Sequence, residues 1–233
     1  QPMNKAITDG LVFMPPAFEN GLDVWSSGDG TPGAPTWDGS PDAVLVPADQ
    51  DFGGCLELIK TGATVKLRYT GDTTILPGCY LRIRARVKAM SGNLPAVRIA
   101  GWAGAAGGAH VPSVVETGPS VQLTAYGKVE TVEAIVGTGS RMGVDMSWGR
   151  AAILGHLGLD LTGPNGGVVR IDDIEIEDVT SVFLRNMIDV VDVRDYGAAG
   201  DGVTDDSAAF EAADADAAAS GRTLLISSGS YFL

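Results

Sequence analysis

Between Tyr80 and Ala89 the chain alternates without a miss. Leu81, Ile83, Ala85, Val87 and Ala89 fall on one side, and Arg82, Arg84, Arg86 and Lys88 on the other. Successive side chains of a strand point to opposite faces, so this pattern predicts a strand with one face on a core and one toward water. Pro77-Gly78 before it and Ser91-Gly92-Asn93 after it supply the turns. The same period recurs in Cys55–Lys60, Val65–Tyr69, Ala96–Trp102, Ser120–Thr124, Lys128–Val136, Gly143–Trp148 and Leu157–Leu161, each bounded by turn-forming residues. Many short strands with no long helical period predict a mainly β fold, a β-sandwich of jelly-roll order. Near the end of this region Val169 and Ile171 share one parity, while Ile174 and Ile176 share the other. The slip falls on Asp172-Asp173, which reads as a β-bulge.

After Glu177 the pattern changes. Thr180–Met187 suits a short connector of one or two helical turns. Val191 and Val193 alternate with Asp192 and Arg194 as a brief strand, and Asp195–Gly202 is a glycine-rich turn region. Asp205 or Asp206 then caps a helix on which Phe210, Ala213 and Ala217 share one face, and Ser220-Gly221 ends it. Thr223–Ser227 and Ser230–Leu233 follow as strands around Ser228-Gly229. The expected organisation is a sandwich over residues 1–180, a connector over 181–190 and a second unit over 191–233.

Composition narrows the possibilities. The 233 residues include 32 Gly and 12 Pro, with 45% hydrophobic and 19% charged residues, a turn-rich and mainly β balance. No apolar run approaches the roughly 20 residues of a membrane span. The opening Gln1-Pro2-Met3-Asn4-Lys5 lacks the apolar core of a secretory signal, and Met3 suits a native start. Without export, Cys55 and Cys79 are expected as reduced packing residues rather than a bridge. The net charge of −13 is uneven: from Ile171 onward 3 basic residues face 14 acidic ones. Nothing here has the basic footprint of a nucleic-acid binder, and the acidic end repels DNA and anionic lipid alike.

The run Val193-Arg194-Asp195-Tyr196-Gly197-Ala198-Ala199-Gly200-Asp201-Gly202-Val203-Thr204-Asp205-Asp206-Ser207-Ala208-Ala209-Phe210, with Gly221–Leu233 after it, resembles the opening motif of the pectate-lyase-like superfamily. That superfamily includes polygalacturonase-related hydrolases and many phage tailspikes. The resemblance implies that the helix covers the open N-terminal end of a right-handed parallel β-helix. An open solenoid end needs such a cap, and a solenoid needs about three or more stacked repeats of roughly 20–45 residues. The chain is therefore expected to be the front part of a longer protein. By the same resemblance its catalytic carboxylates lie on later coils, so no catalysis is expected in this segment, and Asp201, Asp205 and Asp206 are expected as turn and cap residues.

Phe18-Glu19-Asn20-Gly21-Leu22-Asp23-Val24-Trp25 and Val169-Arg170-Ile171-Asp172-Asp173-Ile174-Glu175-Ile176 resemble the first and last strands of jelly-roll carbohydrate-binding modules. Many of those hold a structural calcium, which the resemblance places on Glu19, Asp172 and Asp173; hard oxygen ligands suit Ca²⁺. The whole chain, with its opening Met3–Gly10 and Trp25–Gly30, is similar to the glycosyl hydrolase family 28-related proteins encoded beside gene transfer agent clusters in Rhodobacter-like bacteria. That resemblance implies a head spike or fibre of a phage-like particle. It implies a homotrimer made in the cytoplasm and carried on the released particle, attached to its capsid or spike base, with a further β-helix that recognises cell-surface polysaccharide. The alternative it leaves is the N-terminal part of a polysaccharide lyase or glycoside hydrolase with an accessory binding module.

Candidate binding residues follow from side-chain chemistry. Of the four tryptophans, Trp25 and Trp148 read as core, whereas Trp102 and Trp37 lie beside Gly-rich and Pro-rich loops. Trp102 is the ring expected to be the most exposed, where an aromatic face can stack on a sugar, although packing or an inter-subunit contact is the commoner role for both rings. Arg82, Arg84 and Arg86, with Lys88, form a cationic stripe suited to an acidic partner or an anionic polysaccharide, although a solvated strand face is the commoner reason for one. His110 and His156 show no metal-ligand pattern, and Gly197–Gly202 lacks the ending and spacing of a phosphate-binding loop.

Overall fold

A computed structural model describes residues 18, 21–180, 183 and 189–233. The opening Met3–Gly10 segment, Glu19 and most of the Thr180–Met187 connector lie outside the described residues. The chain divides into two compact units, residues 1–180 and 181–233.

Among the described residues the first unit contains twelve strands: β1 (Trp25–Ser26), β2 (Ala43–Asp49), β3 (Gly53–Ile59), β4 (Val65–Tyr69), β5 (Thr73–Thr74), β6 (Tyr80–Ser91), β7 (Ala96–Gly104), β8 (Thr117–Gln122), β9 (Glu130–Gly137), β10 (Met146–Ser147), β11 (Leu154–Thr162) and β12 (Val168–Asp178). They form a jelly-roll sandwich of two sheets. One runs β1-β4-β11-β7-β8 with β5 beside β11, and the other runs β10-β9-β6-β12-β3-β2. Alternation decides which residues meet between them. Leu67, Ile99, Leu157 and Leu159 of the first sheet share one core with Leu56, Leu81, Ile83, Val87, Val136, Ile171 and Ile176 of the second. Trp25, Trp148 and the free cysteine Cys79 are buried in that core, and the free Cys55 is buried outside it. Burial pushes both thiols up, Cys55 to about 11.

Several boundaries depart from the alternation. β2 is absent from the sequence expectation because Val44-Leu45-Val46 run together and Pro47 interrupts the period; it lies at a sheet edge, where proline is tolerated. Gly143–Trp148 shrinks to the two residues of β10. The bulge lies where the slip of parity placed it: the β12–β6 register shifts between Asp172 and Glu175, and Asp173 has φ 51°. Lys60, just beyond β3, is fully buried. Its ammonium donates to the carbonyls of Gly62 and Gly163, both at 2.7 Å, and to Asn165 Oδ1 at 2.9 Å, tying two loops at one end of the sandwich.

In the second unit β13 (Val190–Asp192) pairs in parallel with β15 (Thr223–Leu225), and β14 (Asp201–Asp205) pairs in parallel with β16 (Ser230–Phe232). β14 begins in the last two residues of the region expected to be a turn and runs on to Asp205. Helix α1 (Ser207–Ser220) buries Ala209, Ala213 and Ala217 beside Val191, Val193 and Ala198, and Phe210 meets Tyr231 edge-on at 5.1 Å. Gly221, at φ 68°, ends the helix by donating its N–H to the Ala217 carbonyl. Asp205 Oδ1 accepts the N–H of Ser207, the first helical residue. The Asp206 carboxylate makes no cap bond; it accepts the N–H groups of Ala199 (2.7 Å) and Gly200 (3.3 Å), fastening the glycine-rich loop instead. No helix among the described residues is long and apolar enough to cross a membrane.

Candidate functional site

The outer face of the first sheet carries the chemistry of the sandwich. In the β4-β11-β7 register, Lys66 lies opposite Asp160 and Asp160 opposite Arg98, with Arg68-Gly158-Ala100 as the next outward row. Asp160 is buried and bridges two guanidiniums, Arg68 at 2.7 Å and Arg98 at 3.0 Å. Arg68 also donates to the Leu159 carbonyl at 2.8 Å. One row further, His156 on β11 is the register partner of Trp102 on β7.

Trp102 stacks with two imidazoles. His156 stacks on it with ring centroids 4.9 Å apart and planes 14° from parallel. His110 stacks at 5.7 Å and 17°. Each imidazole is fixed by a carboxylate: His110 Nε2 lies 2.8 Å from Glu116 Oε1, and His156 Nε2 lies 2.9 Å from Asp72 Oδ1. His156 Nδ1 lies 2.9 Å from the Asp29 carbonyl, so both ring nitrogens are engaged. Gly30 closes over His156. Its φ is 75°, and a Cβ there would come within 3.1 Å of Nδ1, so both backbone and space require glycine.

Beside this stack lies a cavity of about 530 Å³. Trp102, Leu154 and His156 line it from the sheet. Its remaining lining comes from Gly30–Pro32, from Thr70 and Asp72, and from Gly107 and Gly108. The two neighbouring glycines, at φ 85° and 84°, carry no side chain into the space. The result is a concave site with apolar and aromatic surface, one exposed carboxylate and hydroxyl groups from two loops, the usual make-up of a small-ligand site.

The outer face of the second sheet is different. Arg82, Arg84 and Arg86 on β6 meet Glu177, Glu175 and Asp173 on β12 at 2.6, 2.8 and 2.7 Å. The next basic residue, Lys88, is buried under the β2–β3 hairpin tip. There it contacts Asp49 at 2.6 Å and Asp51 at 2.7 Å, below the Phe52 ring. Arg170 adds contacts to Asp49 and Glu57. Despite burial, the hydrogen bonds from Lys88 and Arg170 hold the Asp49 carboxyl well below the usual range.

Residues 190–233 match the sequence model of the Rhamnogalacturonase A/epimerase, pectate lyase-like family. Among solved structures the chain is similar to the tandem CBM22-1-CBM22-2 domain of Paenibacillus barcinonensis Xyn10C, with 13% identity and a TM-score of 0.51 over 72% of this chain and 46% of that one. The single CBM22-1 xylan-binding domain of Xyn10C gives 15% identity and a TM-score of 0.49 over 72% of this chain and 95% of that one. The enzymatically active domain of bacteriophage CBA120 tailspike protein 4 gives 11% identity and 0.37 over 59% and 18%. No curated protein sequence matches the chain.

On this CBM22-like fold the sequence-predicted residues are redistributed. Trp102 is not the exposed ring its glycine-rich flank implied. It is only 6% exposed, stacked with both histidines, and still lines the cavity. Trp37 is also buried, its indole N–H donating to the Lys66 carbonyl at 2.9 Å. Arg82, Arg84 and Arg86 are not an open cationic patch, since a matching acidic stripe on β12 pairs each of them. Of the expected calcium ligands, Glu19 lies outside the described residues and Asp173 is engaged by Arg86. Among the described residues no three His, Cys, Asp or Glu side chains gather as a metal would require. Sequence reasoning missed the site made by His110, His156 and Asp72: the β7–β11 register sets His156 beside Trp102, and segments outside those strands bring His110 and Asp72 to them.

Proposed function

We propose that this chain is a polysaccharide-binding component of a phage-like particle, a head spike or fibre, and that its sandwich holds glycan in the cavity beside the His110–Trp102–His156 stack. The cavity carries the proposal, because it joins a rigid aromatic wall to an exposed carboxylate and loop hydroxyls that suit sugar hydroxyl groups. The CBM22-like fold is consistent with it. Residues 190–233 would open a parallel β-helix that binds cell-surface polysaccharide, a reading supported by their family match and their two parallel strand pairs. In this proposal the assembly is a homotrimer on the surface of a released particle, fastened to a capsid or spike-base protein, and residues 1–233 perform no catalysis.

Affinity electrophoresis of the chain through gels containing bacterial capsular or plant cell-wall polysaccharides tests the binding. At least one polysaccharide should retard it, and Thr31→Trp, which fills the cavity from an external loop, should weaken retardation about tenfold or more without lowering Tm. Retardation unchanged by Thr31→Trp moves the site elsewhere.

The match of residues 190–233 to a rhamnogalacturonase and pectate lyase-like family favours a second reading, the N-terminal part of a polysaccharide lyase or glycoside hydrolase. Release of reducing ends by the longer protein, with secretion in place of particle attachment, would select it.

A further inference from the structure

We infer that the cavity selects uncharged sugar residues and rejects uronates. The inference rests on the glycan-binding reading of this same site. Among the described residues the lining contains two ionisable side chains, Asp72 and His156, and no lysine or arginine. His156 has nothing left to offer a ligand. Both ring nitrogens are engaged, one face lies on Trp102, and Gly30 crowds the ring. Its work is to hold Asp72, whose side chain is mostly exposed and uses Oδ1 for the imidazole.

The second Asp72 oxygen is therefore the charged atom that a ligand meets, and it only accepts hydrogen bonds. A sugar hydroxyl donates to it; a uronate carboxylate presents a second acceptor and a like charge. The surrounding charges do not relieve that repulsion. Lys66 pairs with Asp29 at 2.7 Å, His110 pairs with Glu116, and neither Lys66 nor His110 lines the cavity. His156 is itself buried and reaches Asp72 through Oδ1.

The test is calorimetric titration of the full chain with two sets of hexasaccharides, neutral (xylose, glucose, mannose) and acidic (galacturonate, guluronate). The best neutral oligomer should bind at least about tenfold more tightly than either acidic one. Asp72→Asn keeps the shape and removes the charge, and should narrow that gap to about threefold or less. Asp72→Asn also keeps an acceptor for His156, and its Tm reports whether the loop stays in place. An acidic oligomer bound as tightly as the neutral ones, or a gap unchanged by Asp72→Asn, overturns the selectivity alone. If no oligomer of either set binds, the glycan-binding reading falls and the selectivity with it.

Discussion

The sandwich and the C-terminal unit achieve cohesion by different means. The sandwich closes on itself: two sheets enclose a continuous core, and even Asp160, Arg68 and Lys88 are paired under cover. Among the described residues the C-terminal unit has a core cluster of six buried side chains, four of them alanine, and two separate parallel strand pairs. It leaves Val203, Ile226, Phe232 and Leu233 exposed. Parallel strands ordinarily have both faces covered, and alanines bury little area, so apolar burial contributes less here. Aspartates do more of the work: Asp192, Asp201, Asp205 and Asp206 each accept backbone N–H groups at a turn. One unit is specified by hydrophobic alternation, the other by turn chemistry.

The strongest way to break this comparison is Asp160→Ala. Removing the carboxylate between Arg68 and Arg98 leaves Arg68 buried without its counter-charge, a loss of about 3–5 kcal/mol. Urea unfolding of the full chain should show two transitions, with the C-terminal unit opening first. All four tryptophans lie between residues 25 and 148, so their fluorescence reports the sandwich, while far-UV circular dichroism also detects α1. Asp160→Ala should move the fluorescence transition alone. An equal shift in both transitions would make the two units one cooperative body.

The reciprocal change is Asp206→Ala, which strips the acceptor from the Ala199 and Gly200 N–H groups. Leaving those donors unsatisfied costs about 1–3 kcal/mol, confined to the C-terminal unit. Amide exchange around Gly197–Gly202 should rise while that of β6 and β12 stays fixed. Unchanged exchange in the glycine-rich loop would mean that Asp206 does not hold it.

The same division governed what could be read from the sequence. Alternation in Tyr80–Ala89 and Val65–Tyr69 placed strands and their buried faces well, because burial enforces a period of two. Parity alone also located the bulge at Asp172-Asp173. It could not say what lies across a strand. The partners of Arg82, Arg84 and Arg86 depend on how β12 resumes its register after the bulge, and the rings stacked with Trp102 belong to residues 8 and 54 positions away in sequence. β14 was hidden for the opposite reason, since its start lies in the glycine-rich Asp195–Gly202 run that reads as a turn, and it pairs as a strand beside β16. The candidate site is therefore a product of register and of the segments brought to it, and little of it was legible in advance.

Acid gives the smallest and most local contrast. The Thr204 and Val203 N–H groups and the Thr204 hydroxyl all bond the Asp201 carboxylate, lowering it from 3.8 to about 2. Because the folded value lies below the unfolded one, its contribution is complete above about pH 4 and drains as pH falls through 2. Asp49 in the sandwich is held lower still, by Lys88 and Arg170. Acid should therefore loosen the β14 turn before it reaches the Lys88–Asp49–Arg170 network. In a titration from pH 5 to 1.5 the Thr204 amide resonance should move with a midpoint near 2, and Asp201→Asn should abolish that movement. The Phe52 amide, which donates to Asp49 at 3.2 Å, should hold its position until the pH is lower. If Phe52 moves first, the sandwich is the more acid-labile unit, and the ranking of pattern above turn chemistry is reversed.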